Sequence, residues 1–213
     1  MTDPAAKRDC QIYLLTPALL PPDFSEKLKA ALGAGEIAAL QLRLKNCEED
    51  DWKRAIELLR PITATYNVAL MINDRPDLAV AYGADGAHVG GEDMAVAQAR
   101  KILGPNLQLG ASCYNSRDLA MTAGEDGADY IAFGSFFPSS SKATGITSDV
   151  ELLNWWSEMM ELPVVAIGGI TAQNCAPLVR AGANFLAVIS AVWDHPQGSA
   201  QGVREMQQAI TQA

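Results

Sequence analysis

Two carboxylates, Asp74 and Asp93, are the residues whose type and spacing most clearly suggest chemistry. They lie in residues 71–93, MINDRPDLAVAYGADGAHVGGED, and each follows a short apolar run that is typical of a buried strand. Hard oxygen ligands of this kind suit Mg²⁺, which usually takes one or two protein carboxylates together with substrate phosphate oxygens. We therefore predict that Asp74 and Asp93 converge on one Mg²⁺ site.

The elements that must position these acids form a regular alternation. Eight apolar, strand-like runs, each followed by a helix-like segment, cover the chain, which indicates a parallel sheet with both faces covered. A weak internal repeat (GADGAHVG, GADYIAFG and GANFLAVI, from residues 83, 127 and 182) places a glycine before three of the strands. We predict the α/β class and a single (β/α)8 TIM barrel over residues 1–213. An open doubly wound sheet is the alternative, weakened because no G-x-G-x-x-G follows the first strand.

Active sites of such barrels lie at the carboxyl ends of the strands, where the remaining polar candidates fall. Gly168 and Gly169 precede a helix that we predict to begin at Thr171, whose N–H groups would bind a phosphate beside Ile189 and Ser190 near the end of the last strand. Cationic side chains predict a second anion site facing the carboxylates. Two anion sites and a metal suggest that two phosphorylated molecules are joined with loss of diphosphate. The candidates, besides the acids, are Gln41, Arg43, Lys45, Asn73, Ser112, Ser139, Ser141, Lys142, Gly168, Gly169, Ile189 and Ser190.

Each candidate also has a purely structural interpretation. Asp74 and Asp93 stand where helix N-caps are expected, and the glycine pair could form only a tight turn. Arg43 and Lys45 could belong to an exposed strand face, and residues 139–141 to a flexible loop. Cys113 is more typical of a core cysteine than of a nucleophile, and His88 of a hydrogen-bonded core or rim residue. It is the shared position of these residues that favours a functional site.

Composition excludes several classes of function. The formal net charge is −9 and the pI about 4.7, which disfavours general binding to nucleic acid or to anionic membranes. Four scattered cysteines and two histidines give neither a zinc pattern nor a disulfide framework. The first residues lack an apolar signal region, and no apolar run reaches membrane-spanning length. We expect a soluble cytoplasmic protein, and no interface signal accompanies the homodimer that parallel barrels often form.

Three motifs resemble the thiamine phosphate synthase family and occur in its order. They are IND-RPDLA-x3-GADG-x-H-x-G-x-ED at residues 72–93, GADYI-x-FG-x-FFP-x3-K at residues 127–142 and AIGGI at residues 166–170. The resemblance extends over residues 13–192. It implies a TIM barrel that couples a hydroxymethylpyrimidine diphosphate to a hydroxyethylthiazole phosphate with Mg²⁺, giving thiamine phosphate and diphosphate.

The resemblance also implies residue roles. Asp74 and Asp93 would bind Mg²⁺, and Ser112, Lys142 and Arg43 would act on the leaving diphosphate. The pyrimidine diphosphate would be held by Gln41, Arg43, Lys45, Asn73, Ser112 and Lys142. The thiazole phosphate would be held by residues 139–141, Gly168 or Gly169, Ile189 and Ser190.

This chain departs from the family pattern at several positions. Leu44 replaces a carboxylate, Gly91 replaces a glutamine, Ser135 replaces a proline, and residues 139–141 keep hydroxyls without the threonine methyls. Tyr114 stands where many relatives, and the related thiazole tautomerases, have histidine. Because both acids and Lys142 remain, we favour a synthase. The alternatives are a thiazole tautomerase and a non-catalytic barrel that binds the thiazole phosphate.

Overall fold

The computed structural model describes residues 10–90, 93–138 and 147–213. Its strands are β1 (Gln11–Leu15), β2 (Ile37–Leu42), β3 (Ala69–Asn73), β4 (Gly86–Gly90), β5 (Gln108–Tyr114), β6 (Tyr130–Gly134), β7 (Val164–Ile167) and β8 (Phe185–Val188). Its helices are α1 (Phe24–Leu32), α2 (Glu49–Thr65), α3 (Pro76–Tyr82), α4 (Val96–Leu103), α5 (Arg117–Glu125), α6 (Val150–Met159), α7 (Ala176–Arg180), α8 (Ser190–Trp193) and α9 (Ser199–Thr211).

The eight strands form a closed barrel in chain order, and every neighbouring pair is parallel. β1 closes the ring against β8, where Gln11 lies opposite Phe185 and Leu14 opposite Val188. This confirms the predicted (β/α)8 TIM barrel and excludes the open sheet. The assignment of all 213 residues to one domain stays a prediction.

Apolar side chains fill two separate spaces. The larger core lies between strands and helices, where α2 contributes Trp52, Ile56 and Leu59 at helical spacing, each buried. Burial of one such side chain contributes about 1.5–3 kcal/mol. A smaller cluster, which includes Met71 and Val165, is separate from this core. We place it inside the ring because alternate residues of a barrel strand point inward.

The internal repeat has a common structural role at the amino-terminal ends of the strands. The side chain of the third residue of each repeat accepts a hydrogen bond from the backbone at the beginning of an earlier strand. Asp85 Oδ2 accepts from Leu70 N at 2.7 Å, Asp129 Oδ2 from Leu109 N at 2.7 Å, and Asn184 Oδ1 from Val164 N at 2.8 Å. The backbone N–H of the same three residues donates back to the carbonyl oxygens of the same partners. We refer to these reciprocal pairs as the strand clamps.

The C-terminal part of the barrel differs locally from the sequence expectation. The helix predicted to begin at Thr171 is wrong, because α7 begins only at Ala176. Asn174 holds residues 169–174 in a turn instead: its Oδ1 accepts from Thr171 N at 2.8 Å, and its Nδ2 donates to Gly169 O at 2.9 Å. The placement of Ser190 on the last strand is also wrong, because β8 ends at Val188 and Ser190 begins the short helix α8.

In the described part of the chain, none of the helices has the length and apolar character needed to cross a membrane.

Removal of the side-chain hydrogen bond of one strand clamp is expected to destabilise the fold by about 1 kcal/mol, the typical net value of a hydrogen bond. Asp85→Ala leaves the Leu70 N–H without its side-chain acceptor, whereas Asp85→Asn keeps an acceptor oxygen, as Asn184 does naturally. Urea unfolding should show the loss for Asp85→Ala and little change for Asp85→Asn. Equal stability of the alanine variant and the unchanged protein would show that the clamp contributes nothing.

Candidate active site

An open cavity of about 1200 Å³, including its mouth, lies at the carboxyl ends of the strands. The structure brings most sequence candidates to it: Gln41, Arg43, Asn73, Asp74, Asp93, Ser112, Gly168, Gly169, Ile189 and Ser190. Lys45 is exposed and is not among the lining residues. Ser139, Ser141 and Lys142 lie outside the described residues, as do Gly91 and Glu92.

Asp74 is fixed at the end of β3 by contacts to both sides. Its backbone N–H donates to His88 O at 2.8 Å, which holds the residue at a φ of 59°. Its carboxylate accepts from Gly90 N at 3.3 Å and from the Asn73 side-chain amide. Burial raises the pKa of this carboxyl, the charge of Asp93 raises it further, and the Gly90 and Asn73 hydrogen bonds and Arg43 oppose the rise. Asp74 is not a helix cap, because Arg75 occupies that position before α3.

Asp93 reaches the same place from the loop after β4. A Cβ added to Gly90 would lie 2.6 Å from Asp93 Oδ2, so this carboxylate packs against the backbone whose N–H contacts Asp74. The N-cap position of α4 belongs to Ala95, which excludes the capping interpretation for Asp93. Both acids therefore converge on Gly90.

This carboxylate pair fits a magnesium ion. Among the residues that the structure describes, neither Asp74 nor Asp93 takes part in a salt bridge, so their mutual repulsion has no direct ion-pair partner. Groups of three or more potential His, Cys, Asp or Glu ligands are absent from those same ranges. Two hard oxygen donors beside an open cavity match the way proteins bind Mg²⁺ with substrate phosphates as further ligands.

Positive charge enters the cavity through Arg43. Its side chain is half-buried, and its backbone N–H donates to Thr16 Oγ1 at 3.0 Å. Its charge partly offsets the raised pKa of Asp74 and adds to the lowering of the His88 pKa by burial. A guanidinium close to a carboxylate pair can bind phosphate oxygens in bidentate fashion.

Gly168 and Gly169 form a turn at the other strand ends, with φ angles of 105° and 60°. A Cβ would lie 2.0 Å from Ser135 Oγ at Gly168 and 2.4 Å from Pro138 O at Gly169. The turn therefore requires glycine for packing as well as for conformation. Because both glycines also line the cavity, the structural and the functional interpretations hold together.

The sequence did not point to Tyr13 and Tyr130 as residues of the cavity or its floor. Tyr13 and Tyr130 lie in the barrel interior and hydrogen-bond to each other, and Tyr114 lines the mouth with a φ of 54°. One signal was present: Gly110 interrupts β5, and a Cβ there would lie 2.1 Å from the Tyr130 ring. A glycine inside a strand marks such a close approach.

The surroundings of Cys113 and His88 decide between their structural and functional interpretations. Cys113 is buried, and burial raises the pKa of its thiol to about 12, so it is not a reactive thiolate. His88 is buried and uses both ring nitrogens in hydrogen bonds, to Ser112 Oγ at 2.9 Å and to Tyr130 OH at 3.2 Å. Both conform to the structural interpretation.

Comparison with known proteins identifies the family. The family model described as thiamine monophosphate synthase matches residues 12–192. The chain belongs to this family. It is 50% identical over 203 residues to the thiamine-phosphate synthase of Rhodospirillum centenum, an alignment that covers 95% of this chain and 98% of the relative. A second relative, the thiamine-phosphate synthase of Hyphomonas neptunium, is 47% identical over 211 residues, 96% of each chain.

Solved structures agree in fold. The thiamine phosphate pyrophosphorylase of Pyrococcus furiosus superposes with a TM-score of 0.84 at 33% identity, covering 97% of this chain and 98% of that one. An orotidine 5'-phosphate decarboxylase from Pyrococcus horikoshii, at 11% identity and a TM-score of 0.70, shares the fold alone.

Buried neutral His88 is expected to make the fold acid-sensitive. Burial, aided by Arg43, lowers its pKa from 6.5 to about 4. Between pH 4 and pH 6.5 the histidine is therefore protonated in the unfolded chain and neutral in the folded chain. The free energy of unfolding should therefore decrease as the pH falls from about 6.5 towards 4, by up to about 1.4 kcal/mol per pH unit from this residue. Urea unfolding across this range should show the decrease, with a shallower one in His88→Gln. Parallel pH profiles for the two proteins would contradict this origin.

Proposed function

We propose that this protein is a Mg²⁺-dependent thiamine-phosphate synthase, a transferase that couples a hydroxymethylpyrimidine diphosphate to a hydroxyethylthiazole phosphate. The observation that carries the proposal is the convergence of Asp74, Asp93 and Arg43 at one side of a cavity whose lining also includes the Gly168–Gly169 turn. One cavity thus combines a place for a leaving diphosphate and a place for a second phosphate. The family membership of the chain supports the same reaction.

The first chemical step is departure of diphosphate from the pyrimidine methylene carbon, with the electron pair of the C–O bond. Arg43 would bind the oxygens that gain charge, and Asn73 and Ser112, which also line the cavity at the ends of β3 and β5, would donate hydrogen bonds. The electron-rich pyrimidine supports the positive charge left on carbon. Stabilisation of developing charge by preorganised groups is commonly the largest catalytic contribution.

Asp74 and Asp93 would hold the metal ion. When bound, Mg²⁺ supplies Lewis-acid stabilisation of the diphosphate oxygens. Before it binds, the two carboxylates repel one another beside Gly90, which favours uptake of a divalent cation together with the anionic substrate.

The second step forms the C–N bond from the lone pair of the thiazole nitrogen. The thiazole phosphate would bind near Gly168, Gly169, Ile189 and Ser190, which fixes the nitrogen relative to the carbon. This step needs no general base. The site is consistent with that, since buried Cys113 keeps its proton and His88 is neutral and fully hydrogen-bonded.

A thiazole tautomerase is the second candidate, and Tyr114 argues against it. Such an enzyme moves a proton. The tautomerases that this chain resembles use a histidine for this, at the position that Tyr114 occupies here. Here a tyrosine lines the cavity, and the acids that a tautomerase does not need are retained. A non-catalytic barrel that only binds the thiazole phosphate is the third candidate, favoured by Gly91 and Leu44.

One experiment separates the three candidates. Purified protein with both precursors and Mg²⁺ should release diphosphate and thiamine phosphate in equal amounts, and EDTA should abolish both. Isomerisation of the carboxylated thiazole phosphate without coupling would instead identify a tautomerase. Saturable binding of thiazole phosphate without any turnover would identify the binding protein.

Loss of one metal carboxylate is expected to reduce turnover strongly. Asp93→Ala should lower kcat by about 10²-fold or more, as for loss of other groups that stabilise developing charge. Glu57→Ala, which removes an exposed carboxylate on α2, is the matched control and should retain activity. Undiminished product formation by Asp93→Ala would refute the metal assignment.

Crowding at Gly90 should affect metal use without unfolding the protein. In Gly90→Ala the new Cβ would contact Asp93 Oδ2, the mobile end of a side chain, so the carboxylate shifts while the strand stays in place. The Mg²⁺ concentration for half-maximal rate should rise about tenfold, a usual size for disturbed ligand positioning. In Gly124→Ala the nearest contact is an ordinary 3.4 Å from Leu162, and the Mg²⁺ dependence should not change. An identical Mg²⁺ curve for a folded Gly90→Ala would place the metal elsewhere.

The roles of Lys45, Lys142, Ser139 and Ser141 in substrate binding remain predictions from the sequence. So do the cytoplasmic location and the homodimer.

A further inference from the structure

Five polar side chains form one continuous hydrogen-bonded chain across the barrel interior. Gln41 Nε2 donates to Tyr13 OH at 3.1 Å, and Tyr13 OH lies 2.8 Å from Tyr130 OH. Tyr130 OH lies 3.2 Å from His88 Nδ1, and His88 Nε2 lies 2.9 Å from Ser112 Oγ. We refer to these five residues as the interior chain. It joins strands β2, β1, β6, β4 and β5, so it links residues far apart in sequence.

The interior chain is built into the apolar filling of the barrel. Gln41 and Tyr13 are each only 3% exposed, and His88 is 6% exposed. The two tyrosine rings pack edge to face at 6.0 Å, and Tyr130 also packs against the His88 ring at 5.6 Å. Polar groups in such surroundings are costly unless each finds a partner, so the arrangement is strongly constrained.

The chemistry of its members gives the interior chain one direction. The Gln41 amide nitrogen can only donate, so the Tyr13 oxygen accepts. Among the described residues the other hydrogen-bond partner of this hydroxyl is Tyr130, and a direction in which Tyr13 donates to Tyr130 leaves no buried hydroxyl proton without an acceptor. With the Tyr130 oxygen accepting from Tyr13, the proton of Tyr130 has His88 Nδ1 as its acceptor, which corresponds to one of the two neutral tautomers of the ring. A neutral imidazole that accepts at Nδ1 carries its proton on Nε2, and therefore donates to Ser112 Oγ.

This direction requires a neutral imidazole and two protonated phenols. Burial lowers the pKa of His88 to about 4, and Arg43 assists, so the ring is neutral at pH 7. Burial raises the pKa of Tyr13 to about 12 and that of Tyr130 well above its usual value, so both phenols keep their protons. Each member holds its own proton, and none is transferred.

Tyr13, His88 and both ends of the interior chain reach the cavity. Gln41 and Ser112 line it, and Ser112 lies opposite Gly90 in the β4–β5 register, next to the two carboxylates. A hydroxyl that accepts from His88 still has its own proton to donate. Ser112 is therefore set up as a donor to an acceptor atom of the ligand.

We infer that Tyr13, Tyr130 and His88 are positioning residues, which orient the Ser112 hydroxyl as a hydrogen-bond donor to the pyrimidine diphosphate and fix the Gln41 carboxamide opposite it. The identity of that ligand rests on the proposed function, whereas the direction of the chain does not. This assigns a role to three residues that do not need to touch the reacting atoms.

The direction can be measured on the protein itself. The chain has two histidines, so nitrogen-15 NMR of His195→Gln labelled at histidine observes His88 alone. At pH 7 we expect the neutral tautomer with the proton on Nε2. In the same background, Tyr130→Phe removes the donor to Nδ1 and should move the Nδ1 resonance. A proton on Nδ1, or an imidazolium, would overturn the inference whether or not the protein is active.

The effect on turnover can be tested with a double-mutant cycle. Tyr130→Phe should lower kcat about tenfold while leaving KM for the thiazole phosphate unchanged, and should have under about twofold effect when Ser112 is already alanine. Tyr66→Phe, at an exposed tyrosine just after α2, is the matched control and should have no effect in either background. Equal losses from Tyr130→Phe in both backgrounds would show that Tyr130 acts only through the general structure.

The two experiments separate failure of this inference from failure of the proposed function. If the unchanged protein forms no thiamine phosphate, the proposed function fails, and the NMR result alone decides the direction of the interior chain. If Tyr130→Phe does not fold, Tyr13→Phe interrupts the same chain one position earlier and replaces it in the cycle.

Discussion

Closure of the ring between β1 and β8 is the constraint on which the rest of the structure depends. The hydrogen bonds of Gln11 to Leu14 with Phe185 to Val188 force eight parallel strands to end at one mouth. Residues from the two ends of the chain meet at that mouth because the ring closes. Asp74 and Asp93 contact the same glycine because β3 and β4 are neighbours, and Arg43 approaches them from β2.

Closure also creates an interior that must be filled. In this barrel the filling is partly polar, and the polar part lies just below the carboxylates. A fully hydrogen-bonded polar network rigidifies its surroundings, so we interpret the tyrosines and histidine as support for the residues above them. The glycine at position 110 gives space for the Tyr130 ring, which shows that the backbone itself is adapted to this filling.

Much of the architecture was predictable from the sequence because alternating strands and helices have few arrangements. Strand-end carboxylates at Asp74 and Asp93 could be recognised for the same reason. The helix expected at Thr171 could not be excluded, because the turn depends on how one side chain, Asn174, bonds to the backbone on both sides. Tyr13 and Tyr130 were missed because an aromatic residue in an apolar strand is typical of a core position. Only the closed ring shows that they face each other.

The strand clamps have a consequence for how the barrel forms. Each one joins residues only 15 or 20 positions apart, so it closes a strand–helix–strand unit using contacts that are local in sequence. Local contacts form early because the entropy lost in closing a short loop is small. The β1–β8 pairing, in contrast, joins residues near opposite ends of the chain. Folding should therefore proceed through partly assembled units, with ring closure last, and the complete catalytic mouth would exist only after that final step.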